Sequence, residues 1–135
     1  MRPAALKGLD TNVLLRIITA DDPTQSARVS VYLSKERRHL PFLINRIVLC
    51  ELVWTLTRFY RFERDRVAAV VLLLLRSDEV TIEGHRQVRD ALYLFRTSRA
   101  DFADCLVGLS NGLAGCARTA TFDRRAAELD EFELI

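Results

Sequence analysis

The spacing of apolar positions along this chain alternates between the two-residue rhythm of strands and the three-to-four-residue rhythm of helices. Leu6 and Leu9 read as the end of a short strand, and past Asp10 the residues Val13, Leu14, Ile17 and Ile18 recur at helical spacing. Asp22-Pro23 followed by Gln25 supplies an N-cap, a proline at the first helical position and a capping-box partner, which predicts a helix to about Arg38. Leu40 to Ile44 predicts a strand and Arg46 to Phe62 a long helix. Asp65 to Arg76 predicts another, apolar enough to be buried on most sides. Glu79 to Ile82 reads as a strand, and Gly84 to Phe95 as a helix carried by Val88, Leu92 and Phe95. The remainder predicts a helix from Asp101 to about Leu113, a break at Gly115 and a strand from Arg118 to Phe122. A short helix near Asp123 to Leu129 and a terminal strand, Phe132 to Ile135, complete the reading.

Strands alternating with helices imply an α/β fold with a mostly parallel sheet covered on both faces. In such sheets ligands collect at the carboxyl ends of the strands, and Asp10 and Asp123 both fall at such ends. No linker rich in Pro, Gly or Ser divides the 135 residues, so a single domain spanning 1–135 is expected.

Half the residues are apolar and 28% are charged, as in a folded rather than a disordered chain. The longest unbroken apolar run, Val67 to Leu75, is far short of the roughly 20 residues a bilayer requires, so no membrane association is expected. The opening MRPAALKGLD has no apolar stretch of leader length, which predicts a cytoplasmic protein. Cys50, Cys105 and Cys116 form no C-x-x-C pair and are read as reduced, small core residues. The net charge of +2 does not by itself argue for nucleic acid. Lys7 and Lys35 are the only lysines among the 20 basic residues; the arginine excess suits phosphate contacts and equally fits a codon bias.

The acids carry the chemistry. Asp10 follows the first strand, and Glu51 lies in IVLCELVWTL with Ile47, Val48 and Trp54 as helical neighbours, a setting that predicts partial burial. Asp101 and Asp104 share one helical face near an N-terminus, and Asp123 follows the strand-like RTATF. Taken singly, Asp10, Asp101 and Asp123 suit helix capping, Glu51 suits an ion pair with Arg46 or Arg58, and Asp104 suits solvent. Four converging carboxylates at about 6 Å would repel by on the order of 15 kcal/mol in total at an effective dielectric near 20. That rivals the stability of a typical domain, so convergence requires a cation or bound protons. Hard oxygen ligands suit Mg²⁺ or Mn²⁺, whereas His39 and His85 alone are a poor basis for zinc. An acidic metal cluster on a parallel α/β sheet suits phosphodiester hydrolysis.

LDTNVLLRII, the glutamate in VLCELVWTL, ADFADCLVGLSNGLAGC and RTATFDRRAAEL stand in an order and spacing that resembles the PIN-domain ribonucleases, above all the VapC-type toxins of VapBC toxin–antitoxin pairs. The resemblance runs from about Leu6 to Ile135. It implies a three-layer fold with about five short, mostly parallel strands flanked by helices. It implies a Mg²⁺- or Mn²⁺-dependent endoribonuclease acting on structured RNA, a cognate antitoxin that blocks the acidic site, and a homodimer. By position it makes Asp10, Glu51, Asp104 and Asp123 the catalytic, metal-binding acids, with Thr11, Asn12, Asp101 and Thr121 supporting them. Where the family has small apolar residues after the third acid, this chain has Gly108 and then the polar pair Ser110-Asn111. The sequence ends right after the last strand, so no contribution from a C-terminal tail is expected.

RFYRFERDR, residues 58 to 66, interleaves arginines with aromatics. Arg58 and Arg61 are candidate contacts to RNA or antitoxin, as is Arg124 beside Asp123; the alternative is packed aromatics with arginines solvated or paired to Glu63 and Asp65. Trp54 is read as core. A phosphoacceptor receiver domain, suggested by Asp21-Asp22, lacks its late lysine, and a haloacid-dehalogenase-like phosphatase lacks its second aspartate at Asn12. The remaining alternative is a PIN fold that has lost catalysis and only binds protein or RNA.

Overall fold

The computed structural model describes residues 5–135. The leader expectation rests in part on Met1 to Ala4, which lie outside the described residues. Among the described residues no helix is long and apolar enough to cross a membrane.

Helix α1 (Thr11–Thr19) starts at Asp10, whose backbone is extended and whose carboxylate accepts the Thr11 N–H at 2.8 Å. Helix α2 (Pro23–Lys35) begins as its proline and cap dictate, with the Asp22 carboxylate accepting the Gln25 N–H at 3.0 Å. It stops earlier than the periodicity suggests, and a 3₁₀ turn, Arg37–His39, leads into strand β1 (Phe42–Ile44). Asp21, by contrast, fastens the α1–α2 corner: it accepts from Arg16 at 2.5 Å, Thr19 at 2.8 Å and Tyr60 at 2.7 Å.

The long helix expected over Arg46 to Phe62 is shorter. Helix α3 (Arg46–Arg58) ends where Arg61 adopts a left-handed conformation at φ 58, and the Phe62 N–H then donates back to the Leu56 carbonyl at 2.9 Å. The turn brings Tyr60 and Phe62 onto the core before helix α4 (Arg64–Arg76) begins. Helix α4 buries one face, Val67, Ala68 and Val71, while Leu73 is exposed, so the expectation of burial on most sides is corrected.

Strand β2 (Val80–Ile82) pairs parallel with β1, and a single parallel bridge joins Gly8 to Leu43 on the other side of β1. Leu9 N–H donates to the Leu43 carbonyl at 2.9 Å and Leu43 N–H to the Lys7 carbonyl at 2.8 Å, so the expected first strand is present only as this short pairing. Helices α5 (His85–Thr97) and α6 (Phe102–Leu113) pack on each other, and α5 also packs on α4. Strand β3 (Thr119–Thr121) pairs parallel with β4 (Phe132–Leu134), joined by a 3₁₀ turn, Ala126–Glu128, in place of the expected helix. The architecture is thus α/β with short strands that are all parallel. One core cluster unites Leu14 of α1, Ile44 of β1, Leu49, Leu52 and Leu56 of α3, Val88 of α5, and Phe102 and Cys105 of α6.

Two details explain the residues after Asp104. A Cβ on Gly108 would lie 2.7 Å from the Phe132 ring and 2.9 Å from Glu131, so only glycine lets β4 cross α6 this closely. Ser110 Oγ reaches Gln87 of α5 at 3.5 Å, and the Asn111 amide donates to Thr119 of β3 at 2.9 Å. The polar pair therefore ties α6 to its neighbours.

Candidate active site

Asp101, Asp104 and Asp123 converge: each offers a carboxylate oxygen, and these oxygens all lie within 4.8 Å of one another. Their elements explain why. Asp101 caps α6 by position, yet its carboxylate makes no capping hydrogen bond and is left for the cluster. Asp104 follows one turn later on the same face. Asp123 sits just past the carboxyl end of β3, where its Oδ1 accepts the Arg125 and Ala126 N–H groups at 2.8 and 3.2 Å. Its own N–H donates to Thr121 Oγ1 at 2.9 Å, so Thr121 holds the backbone that presents this carboxylate.

Asp101 and Asp123 are exposed and Asp104 is half-buried. That burial, followed by the charges of Asp101 and Asp123, raises the Asp104 carboxyl above its ordinary range. Three mutually repelling carboxylate oxygens form a hard donor set that fits a divalent cation of the Mg²⁺ or Mn²⁺ kind. The neighbouring Cys105 thiol is fully buried and pushed up to about 12, chiefly by burial, so it is not a nucleophile.

Asp10 and Glu51 stand outside the mutual 4.8 Å set. Glu51 is exposed on α3, against the expectation of partial burial, because the buried face of that helix is Leu49, Leu52, Val53 and Leu56. Its Oε2 accepts from Thr11 Oγ1 at 3.4 Å, which links it to the start of α1 beside Asp10. Thr11 is buried and Asn12 exposed. Trp54 also faces out, 64% exposed, so its reading as core is corrected; apolar residues ring α3, and periodicity alone does not choose its buried side.

Arg58, Arg61 and Arg124 are exposed, and none makes a salt bridge among the described residues. Arg66 stacks on Phe62, 3.7 Å from the ring centroid, and Arg64 serves backbone carbonyls rather than Glu63 or Asp65. Cys116 is exposed rather than core, while Cys50 is partly and Cys105 fully buried; all three are free thiols.

Comparison with known proteins bears on the family of the chain. A PIN-domain family model matches residues 8–132. A protein named VapC ribonuclease from Aquifex aeolicus (strain VF5) is 25% identical over 124 residues, covering 92% of each chain. A family match that takes in strands β1 to β3 and all the acids discussed above leaves one conclusion: the chain belongs to the PIN-domain family.

Proposed function

We propose that this chain, acting as a single domain, is a VapC-type endoribonuclease, the toxin of a toxin–antitoxin pair, and hydrolyses phosphodiester bonds of structured RNA with Mg²⁺ or Mn²⁺. The observation that carries the reading is the meeting of Asp101, Asp104 and Asp123 within 4.8 Å. The name of the Aquifex relative and its coverage of 92% of the chain support the ribonuclease assignment. Asp104 and Asp123 would hold the ion, Asp101 with them, and Asp10 and Glu51 would contribute from the start of α1 and from α3. When bound, the cation would lower the pKa of a water and neutralise charge on the phosphate.

The chain's own groups account for the rest. Thr121 fixes the Asp123 backbone, and Thr11 orients the Glu51 carboxylate. Arg58, Arg61 and Arg124 are exposed cations suited to RNA phosphates or to an acidic antitoxin segment. Ile47, Trp54 and Phe59, at 71%, 64% and 73% exposure, supply apolar surface that a cognate antitoxin or the second copy of a homodimer would cover.

The test incubates the purified, antitoxin-free chain with a panel of structured RNAs in Mg²⁺, in Mn²⁺ and in EDTA. Discrete cuts that require the metal are expected. Cutting that persists in EDTA contradicts the metal reading, and absence of cutting on every RNA favours a protein- or RNA-binding module.

A further inference from the structure

Arg64 opens helix α4, but its guanidinium works at the junction between α5 and α6. One nitrogen, Nη2, shares its two N–H groups among the carbonyls of Phe95, Ser98 and Ala100 at 2.6, 3.1 and 3.0 Å. The guanidinium carbon lies 3.9 Å from the centroid of the Phe95 ring, and Phe95 in turn meets Phe102 edge-on at 6.0 Å. These partners bracket the turn that delivers Asp101. Helix α5 ends at Thr97, Ala100 is fully buried, and Asp101 and Phe102 follow directly. The last carbonyls of a helix have no partner within it, and a planar cation satisfies them while stacking on the adjacent ring. Ser98 closes the same turn, donating to the Leu94 carbonyl at 2.6 Å and accepting the Ala100 N–H at 3.2 Å.

We infer that Arg64 is a positioning residue for the metal-binding acids: by clamping residues 95 to 100 it fixes where α6 begins, and hence how Asp101 and Asp104 face Asp123. The inference rests on the divalent-cation reading above. The expected effect has an unusual sign. Arg64 is a cation near the cluster, close enough to bear on the neighbouring Cys105 thiol. By charge alone, removing it would tighten binding of a second cation; by loss of positioning, it would weaken it.

The experiment is calorimetric titration of Mn²⁺ into metal-free wild type, Arg64→Ala, Arg64→Lys and Arg66→Ala, with melting in EDTA to confirm that each is folded. Arg66→Ala removes an equal charge two residues away, from a side chain stacked on Phe62. About tenfold weaker Mn²⁺ binding is expected for Arg64→Ala. Partial recovery is expected in Arg64→Lys, and wild-type affinity or slightly tighter in Arg66→Ala. Should Arg64→Ala not fold, Arg64→Lys against Arg66→Ala carries the comparison. Unchanged or tighter binding in the Arg64 variants, with wild type binding normally, overturns the role of Arg64 alone. No Mn²⁺ binding by wild type overturns the metal reading itself.

Discussion

Thr11 and Glu51, forty residues apart in sequence, meet through a 3.4 Å hydrogen bond from the threonine hydroxyl to the carboxylate Oε2. The threonine is buried and the glutamate exposed, so the contact anchors an exposed carboxylate to the buried start of α1, next to Asp10. A bond this long contributes little to stability, about 1 kcal/mol or less. Thr11→Val is therefore expected to melt within a few degrees of wild type but to cut RNA about tenfold more slowly. Thr11→Ser keeps the hydroxyl and is expected to retain most activity. Equal loss in both variants would assign the effect to packing instead.

Asp104 sets a pH dependence. Burial, then Asp101 and Asp123, raise its folded-state pKa above the ordinary 3.8. The folded chain then binds this proton more tightly than the unfolded chain. Its stabilising effect is fully present below pH 3.8 and is lost as pH rises through the raised folded value. In EDTA, Asp104→Asn is expected to melt higher than wild type near neutral pH and to flatten that part of the profile. Added Mg²⁺ should raise the wild-type melting temperature and leave the variant nearly unmoved. A variant that melts lower than wild type in EDTA would contradict the repulsion described.

Two glycines of α6 should respond oppositely to alanine. Gly108→Ala drives a methyl against Phe132 and Glu131 and is expected to cost about 1–3 kcal/mol in urea unfolding. At Gly112 an added methyl would meet no atom within 4 Å, so Gly112→Ala is expected to stabilise by about 0.5–1 kcal/mol.

Trp54 and Leu52 sit two residues apart on opposite sides of α3. Leu52→Ala is expected to lose about 2–5 kcal/mol because the leucine is fully buried. Trp54→Ala is expected to change the stability of the isolated chain by no more than about 0.5 kcal/mol. A large loss for Trp54→Ala in dilute solution would indicate that the side chain is covered there.

Much of the fold is legible in the sequence because local chemistry dictates it. The Asp22-Pro23 start of α2 and the apolar spacing of α5 follow from adjacent residues, and the parallel pairing of the short strands follows from their alternation with helices. The end of α3 is not, because Arg61 takes the left-handed conformation for which glycine is the usual signal. The exposure of Trp54 and Glu51 is equally hidden, because α3 carries apolar residues on several sides and only tertiary packing selects which are covered. Every acid of the site is visible as a motif. The close approach of Asp101 and Asp104 to Asp123 depends on how α6 meets β3, which no local pattern encodes. Arg64 gives no signal beyond its charge, since its carbonyl partners lie 31 to 36 residues further along.

The most direct test of the acidic cluster compares RNA cleavage rates in Mg²⁺ for wild type and Asp104→Asn, each confirmed as folded by melting. Asp104→Asn is expected to melt at or above wild type in EDTA and to cut at least about a thousandfold more slowly. A folded Asp104→Asn that cuts at the wild-type rate would contradict the claim that the Asp101–Asp104–Asp123 cluster is the catalytic centre.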